Sequence, residues 1–189
     1  VNGRELRNVA LIGVVALGIG LGVAGVLLGR PAAPLTPTTP LIRFDPAHVR
    51  VGTGETFTVS LQIDGPDDLG AYQVDLLYDP AVVQVVTVTL GPLLSSTGRT
   101  AALLGPATRN PGQTTFAAYS YGHASGVSQS GTLAQVQLRA IRMGNTALRL
   151  DNIQLTDPQA NLQAAQATAG QVEVTALYAV FLPIVVKSQ

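Results

Sequence analysis

The chain has no cysteine and no tryptophan, and only 12 % of its 189 residues are charged. Without cysteine there are no disulfides and no thiolate zinc sites, so the fold must stand on its apolar core. Without tryptophan, a sugar-stacking surface lacks its largest aromatic. Eleven basic residues, ten of them arginine, balance eleven acidic ones. No basic stripe with interleaved aromatics results, which excludes nucleic-acid binding as a class. Catalytic patterns are missing too. Gly122-His123-Ala124-Ser125-Gly126 lacks the spacing of a serine nucleophile elbow, and no glycine-rich phosphate loop occurs. His48 and His123 have no partner motif and read as surface histidines. A non-enzymatic protein without a cofactor is expected.

What the chain does have is a long apolar run. Residues 1–8 are polar, and Val9–Gly29 then gives twenty-one residues without a charge. As a helix they span about 30 Å, the thickness of a bilayer core, so a single transmembrane pass is expected. A secretory leader is the rival reading, but Pro34 follows the small pair Ala32-Ala33. Arg4 and Arg7 precede the span and Arg30 follows it, which places the N-terminus inside and the rest outside the cell. Gly18, Gly20, Gly22, Gly25 and Gly29 form overlapping small-xxx-small pairs, the pattern that lets membrane helices approach closely. Residues 30–40 carry four prolines and read as an extended spacer that holds the next domain off the membrane.

From Leu41 to Ala176 the pattern changes to period two. Tyr72, Val74, Leu76 and Tyr78 alternate with Gln73, Asp75 and Leu77, and Asp79-Pro80 turns the chain into a second valine-rich run. Phe57, Val59, Leu61 and Ile63 alternate with Thr58, Ser60 and Gln62. Ala134, Val136, Leu138 and Ala140 alternate with Gln135, Gln137 and Arg139. Short strands are expected at 41–44, 48–51, 114–121, 147–155 and 170–175, and Gly91–Gly112 reads as a long irregular excursion. The class is all-β, an antiparallel two-sheet sandwich, behind one N-terminal helix.

Several runs occur in the order found in one known family. Val51-Gly52-Thr53-Gly54-Glu55-Thr56-Phe57-Thr58-Val59, the stretch Leu69–Val86, Gly112-Gln113-Thr114-Thr115-Phe116-Ala117 and Gly131-Thr132-Leu133-Ala134-Gln135-Val136 resemble the cohesin pattern. The resemblance implies a jelly-roll sandwich of the kind shared with some carbohydrate-binding modules. In cellulosomes such modules bind dockerins, small calcium-loaded partners. The matching positions are core and turn residues, so the resemblance carries the fold and leaves the partner open.

Three roles follow as expectations: a membrane-anchored surface module that contacts other protein subunits, a pilin-like filament subunit, and a polysaccharide-binding module. Glu5 supports the filament reading, because type IV pilins carry an early glutamate; the polar neighbours Arg4 and Arg7 depart from that family. Asp64, Asp67 and Asp68 share a loop with glycine and proline, a pattern of calcium loops and of ordinary turns. Asp75 and Asp79 fall on the strand face opposite Tyr78, with Asp79 the simpler turn residue. Tyr72, Tyr119 and Tyr121 are candidates for a sugar platform or for core aromatics. The tail, residues 177–189, holds Phe181, Ile184, Val185 and Val186 in a β-prone apolar run too short to span a bilayer, and is expected to be covered by its own sandwich or by a neighbouring subunit.

Overall fold

Alternating side chains with turn residues between the runs favour strands over helices, and strands dominate the computed structural model, which describes residues 39–176. In chain order they are β1 (Leu41–Asp45), β2 (His48–Gly52), β3 (Thr56–Asp64), β4 (Ala71–Leu77), β5 (Val83–Leu90), β6 (Thr100–Asn110), β7 (Gln113–Tyr121), β8 (Gly131–Ala140), β9 (Gly144–Thr156), β10 (Leu162–Gln163), β11 (Gln166–Ala167) and β12 (Gly170–Thr175). The helical content of the described residues is one 3-10 turn, Leu93–Ser95. None of their helices is long and apolar enough to cross a membrane. The span Val9–Gly29 with its glycines, Glu5, most of the proline spacer and the tail lie outside the described residues.

One sheet runs β11-β1-β3-β8-β5, and the other β2-β12-β9-β4-β7-β6, with β10 pairing on β9. The first strand is shared: at Asp45-Pro46-Ala47 the chain leaves β3, its antiparallel partner in β1, and enters the other sheet as β2, parallel to β12. All other long pairings are antiparallel. This is the two-sheet sandwich that the sequence pattern implies.

The core lies between the sheets. Val59, Leu61 and Ile63 of β3 and Val136 and Leu138 of β8 join Val74 and Leu76 of β4, Phe116 of β7 and Leu148 and Leu155 of β9 in one buried cluster. Tyr72, Val74, Leu76 and Val136 are each at most 2 % exposed. Each strand turns one face inward because its side chains alternate, which is why Gln135 and Arg139 stand exposed beside buried Val136 and Leu138.

The Tyr78-Asp79-Pro80 corner forms as the residue types require. Asp79 Oδ1 accepts the N–H of Ala81 at 2.8 Å, and its carbonyl accepts those of Val82 and Val83 at 3.0 Å. Gly112 packs against this corner at φ +82°, where a Cβ would stand 2.6 Å from the Tyr78 carbonyl oxygen.

One expectation needs correction. Gly91–Gly112 is no irregular excursion: Leu93 and Leu94 plug the core, and Thr100–Asn110 is the eleven-residue edge strand β6. Its residues do not alternate because no side chain there is fully buried, so periodicity carries no signal, and its ladder to β7 supplies the order instead. Register shifts between Leu104 and Ala107 accommodate Gly105-Pro106, at a sheet edge where proline is tolerated. The segment 157–169 likewise contains two short strands, β10 and β11, that no apolar pattern announces.

Candidate binding face

The outer surface of β6, β7, β4 and β9 departs from the polar face that a solvated sheet normally presents. Register sets its layout. Ala71 lies between Tyr119 and Thr156, Gln73 lies between Ala117 and Gln154, and Asp75 lies between Thr115 and Asp151. On the far side, Ala102 pairs with Tyr119 and Leu104 with Ala117. Because Ala71 and Ala117 are small, they leave an open groove of about 210 Å³ bordered by Leu104, Tyr119, Gln73 and Gln154. Leu104 is 56 % exposed, Tyr119 41 % and Tyr121 55 %. The two tyrosine rings lie 6.2 Å apart and are tilted by 33°.

Below the groove the face turns acidic. Asp75 is buried on this outer face, accepting from Thr115 Oγ1 at 2.6 Å and from Gln113 Nε2 at 3.0 Å. Its cross-strand partner is another carboxylate, Asp151, at a bulge where Asn152 takes φ +47°. Like charges in register disfavour the free sheet. The ion pairs among the described residues are elsewhere, Arg43–Asp64 and Arg50–Glu173, both at 2.8 Å. The face therefore offers an apolar slot next to two carboxylates that form no ion pair among the described residues.

Two features hold the top of this face in place. The Arg99 guanidinium is buried at the end of β7 without a carboxylate partner. It donates to Ser120 Oγ (2.9 Å), to the Ser120 carbonyl (2.8 Å) and to the carbonyls of Gly122 and Ala124. Beside it, Asp68 Oδ1 accepts the Gly126 N–H at 2.6 Å, and Leu69 exchanges hydrogen bonds with Val127. Arg99 escaped the sequence reading; an arginine inside an otherwise uncharged Gly/Ser/Thr stretch was its one signal.

The other candidates separate. Asp64 pairs with Arg43, which raises the arginine's pKa, Asp68 holds Gly126, and Asp67 is exposed with its carbonyl accepting from Gln163. Among the described residues no three His, Asp or Glu side chains converge as a metal would need. The carboxylates of Asp64 and Asp68 are thus engaged with the protein itself. The three tyrosines do not form one platform. Tyr72 points into the core and donates to the Leu133 carbonyl at 2.9 Å, with burial pushing its phenol pKa well above the ordinary value, while Tyr119 and Tyr121 point outward. His48 and His123 are exposed at separate places, on β2 and in the β7–β8 loop. Asp75 and Asp79 do not pair: Asp75 is held by β7, and Asp79 closes its turn.

A two-sheet, mostly antiparallel sandwich whose first strand crosses from one sheet to the other defines the class of fold. Within that class, the family model described as the Cohesin domain matches residues 44–174. The chain belongs to the cohesin family. Solved structures agree in fold. A non-cellulosomal cohesin from the archaeon Archaeoglobus fulgidus shares 20% identity over 74% of this chain and 93% of its own, with a TM-score of 0.57. The sixth cohesin of scaffoldin B from Acetivibrio cellulolyticus, solved in complex with a dockerin, gives 14% identity over 73% of this chain and 100% of its own, with a TM-score of 0.61. A cohesin from Clostridium acetobutylicum shares 19% identity over 74% of this chain and 92% of its own, with a TM-score of 0.56. Comparison with curated proteins finds no significant match.

Proposed function

We propose that this chain is a non-catalytic module that binds a protein partner on the outer face of β6, β7, β4 and β9. The carrying observation is the groove of Ala71, Ala117, Leu104 and Tyr119 set beside the Asp75–Asp151 pair. An apolar side chain of the partner fills the slot, and a lysine or arginine next to it meets the carboxylates; apolar anchors ringed by charge are the usual make-up of such contacts. A dockerin is the first partner to test, since cohesins of this fold have been solved with dockerins. Residues 9–29 anchor the module in a membrane as a single pass, residues 30–40 space it, and the sandwich faces the outside of the cell.

Titration of the chain with dockerin modules, with calcium and with a chelator, tests the reading. Tyr119→Ala and Leu104→Asp are expected to weaken binding at least tenfold, the size of one lost anchor of about 1.4 kcal/mol. Thr58→Ala and Gln137→Ala, on the outer face of the other sheet, are expected to leave it unchanged. Equal binding by all four variants overturns the choice of face. Retention on insoluble polysaccharide that Tyr119→Ala abolishes, without binding to any dockerin, favours the sugar-binding role for the same tyrosines.

A further inference from the structure

Among the described residues one sheet ends in β11 and β5, and the other in β2 and β6. An edge strand presents unpaired N–H and C=O groups, so proteins that stay apart blunt their edges. Three of these four are blunted. β11 is two residues long, β6 is interrupted at Gly105-Pro106, and β2 exposes His48 and Arg50. β5 is not: Val83–Leu90 holds no charge, glycine or proline, and six of its eight residues are β-branched. Such a strand fits a pleated ladder well.

The burial of β5 breaks the usual alternation. Val83, Val85, Val88 and Leu90 pack toward the core, while Gln84, Val86, Thr87 and Thr89 are exposed. Val86 is 53 % exposed, and the break falls at Val86-Thr87, where the ladder to β8 shifts register. The shift creates a symmetry. In a regular strand of even length, end-to-end antiparallel pairing with a copy brings the first position against the last, and these point to opposite faces. The extra residue at the bulge corrects this. Val83 then meets Leu90, Val85 meets Val88, Gln84 meets Thr89 and Val86 meets Thr87 of the second copy, inward with inward and outward with outward.

We propose that β5 pairs antiparallel with the β5 of a second copy of this chain, about a two-fold axis at the Val86-Thr87 bulge. On the inner side apolar residues meet, and Val85 and Leu90, half-buried in one copy, are covered. On the outer side uncharged amide and hydroxyl groups meet, and no charge is set against a like charge. The contact is isologous and uses each β5 once, so it closes at two copies, and the blunted edges stop further growth. It joins the sheets opposite the proposed binding face. That face stays open in both copies, so the pair is bivalent toward a partner that carries two sites.

The chain has no cysteine, so introduced thiols report this contact alone. Gln84 and Thr89 of one copy stand roughly 17 Å apart along the strand, too far for a disulfide within the chain. In the proposed pairing each faces the other across the two-fold axis. The full-length Gln84→Cys, Thr89→Cys variant is therefore expected to form a covalent dimer on mild oxidation by oxygen, read on a non-reducing gel. Gln84→Cys alone and Thr89→Cys alone are expected to cross-link several-fold less. Adding Val86→Lys to the double variant sets two ammonium groups near the axis and is expected to reduce the dimer several-fold. Circular dichroism checks that this variant folds; should it not, Thr87→Lys takes its place. Absence of a covalent dimer in the double variant overturns the proposal. So does equal cross-linking of the single variants, or a dimer that the added lysine leaves unchanged.

Discussion

The Tyr72 hydroxyl on β4 and the Leu133 carbonyl on β8 join the two sheets through the core, at 2.9 Å. The same carbonyl also accepts the Gly91 N–H, at 2.8 Å. Its two lone pairs thus serve one side chain from the opposite sheet and one backbone amide from its own side. Tyr72→Phe keeps the ring and leaves Leu133 with its second donor. Chemical denaturation is expected to show a loss of about 1 kcal/mol, the net worth of one hydrogen bond, and not the larger penalty of an orphaned carbonyl.

The same burial gives a pH dependence with a definite sign. The folded Tyr72 phenol keeps its proton above the ordinary tyrosine pKa of about 10, where an unfolded tyrosine loses it. The native state then binds more protons than the unfolded state, so this contribution is complete below about pH 10 and is lost progressively as pH rises beyond it. Melting temperatures measured from neutral pH into the alkaline range are expected to fall more steeply for the wild type than for Tyr72→Phe. Parallel curves refute the assignment.

Leu76 is fully buried at the centre of β4, between β7 and β9. Leu76→Ala is expected to cost about 2–5 kcal/mol by urea unfolding, because the surrounding strands cannot close the cavity. Leu104→Ala, on the exposed edge strand, is expected to change stability by no more than about 0.5 kcal/mol.

Arg99 supplies four hydrogen bonds that no neutral side chain reproduces. Arg99→Leu is expected to destabilise by about 2 kcal/mol and to speed hydrogen exchange at the Val127 amide, whose loop the guanidinium holds. Arg99→Lys is expected to restore little, since an ammonium cannot reach the same fork of acceptors. Wild-type exchange at Val127 in Arg99→Leu refutes this role.

The sandwich was legible because burial writes itself into period two. Val59, Leu61 and Ile63, and again Val136 and Leu138, alternate with polar residues because one face of each strand meets the other sheet. The Asp79-Pro80 corner was legible for a local reason, since proline and aspartate dictate a turn whatever surrounds them. Strand β6 was not, because an edge strand with no buried side chain leaves no period, and only its ladder to β7 defines it. Nor was the candidate face. That Tyr72 points inward while Tyr119 points out follows from register between β4 and β7, and the meeting of Asp75 with Asp151 depends on a bulge in the β4–β9 pairing. Sequence alone determined which residues must leave water and where the chain must turn. Which strands became neighbours, and so which side chains share a surface, was decided by the long-range ladders, because hydrogen-bonded register joins residues that no local pattern connects.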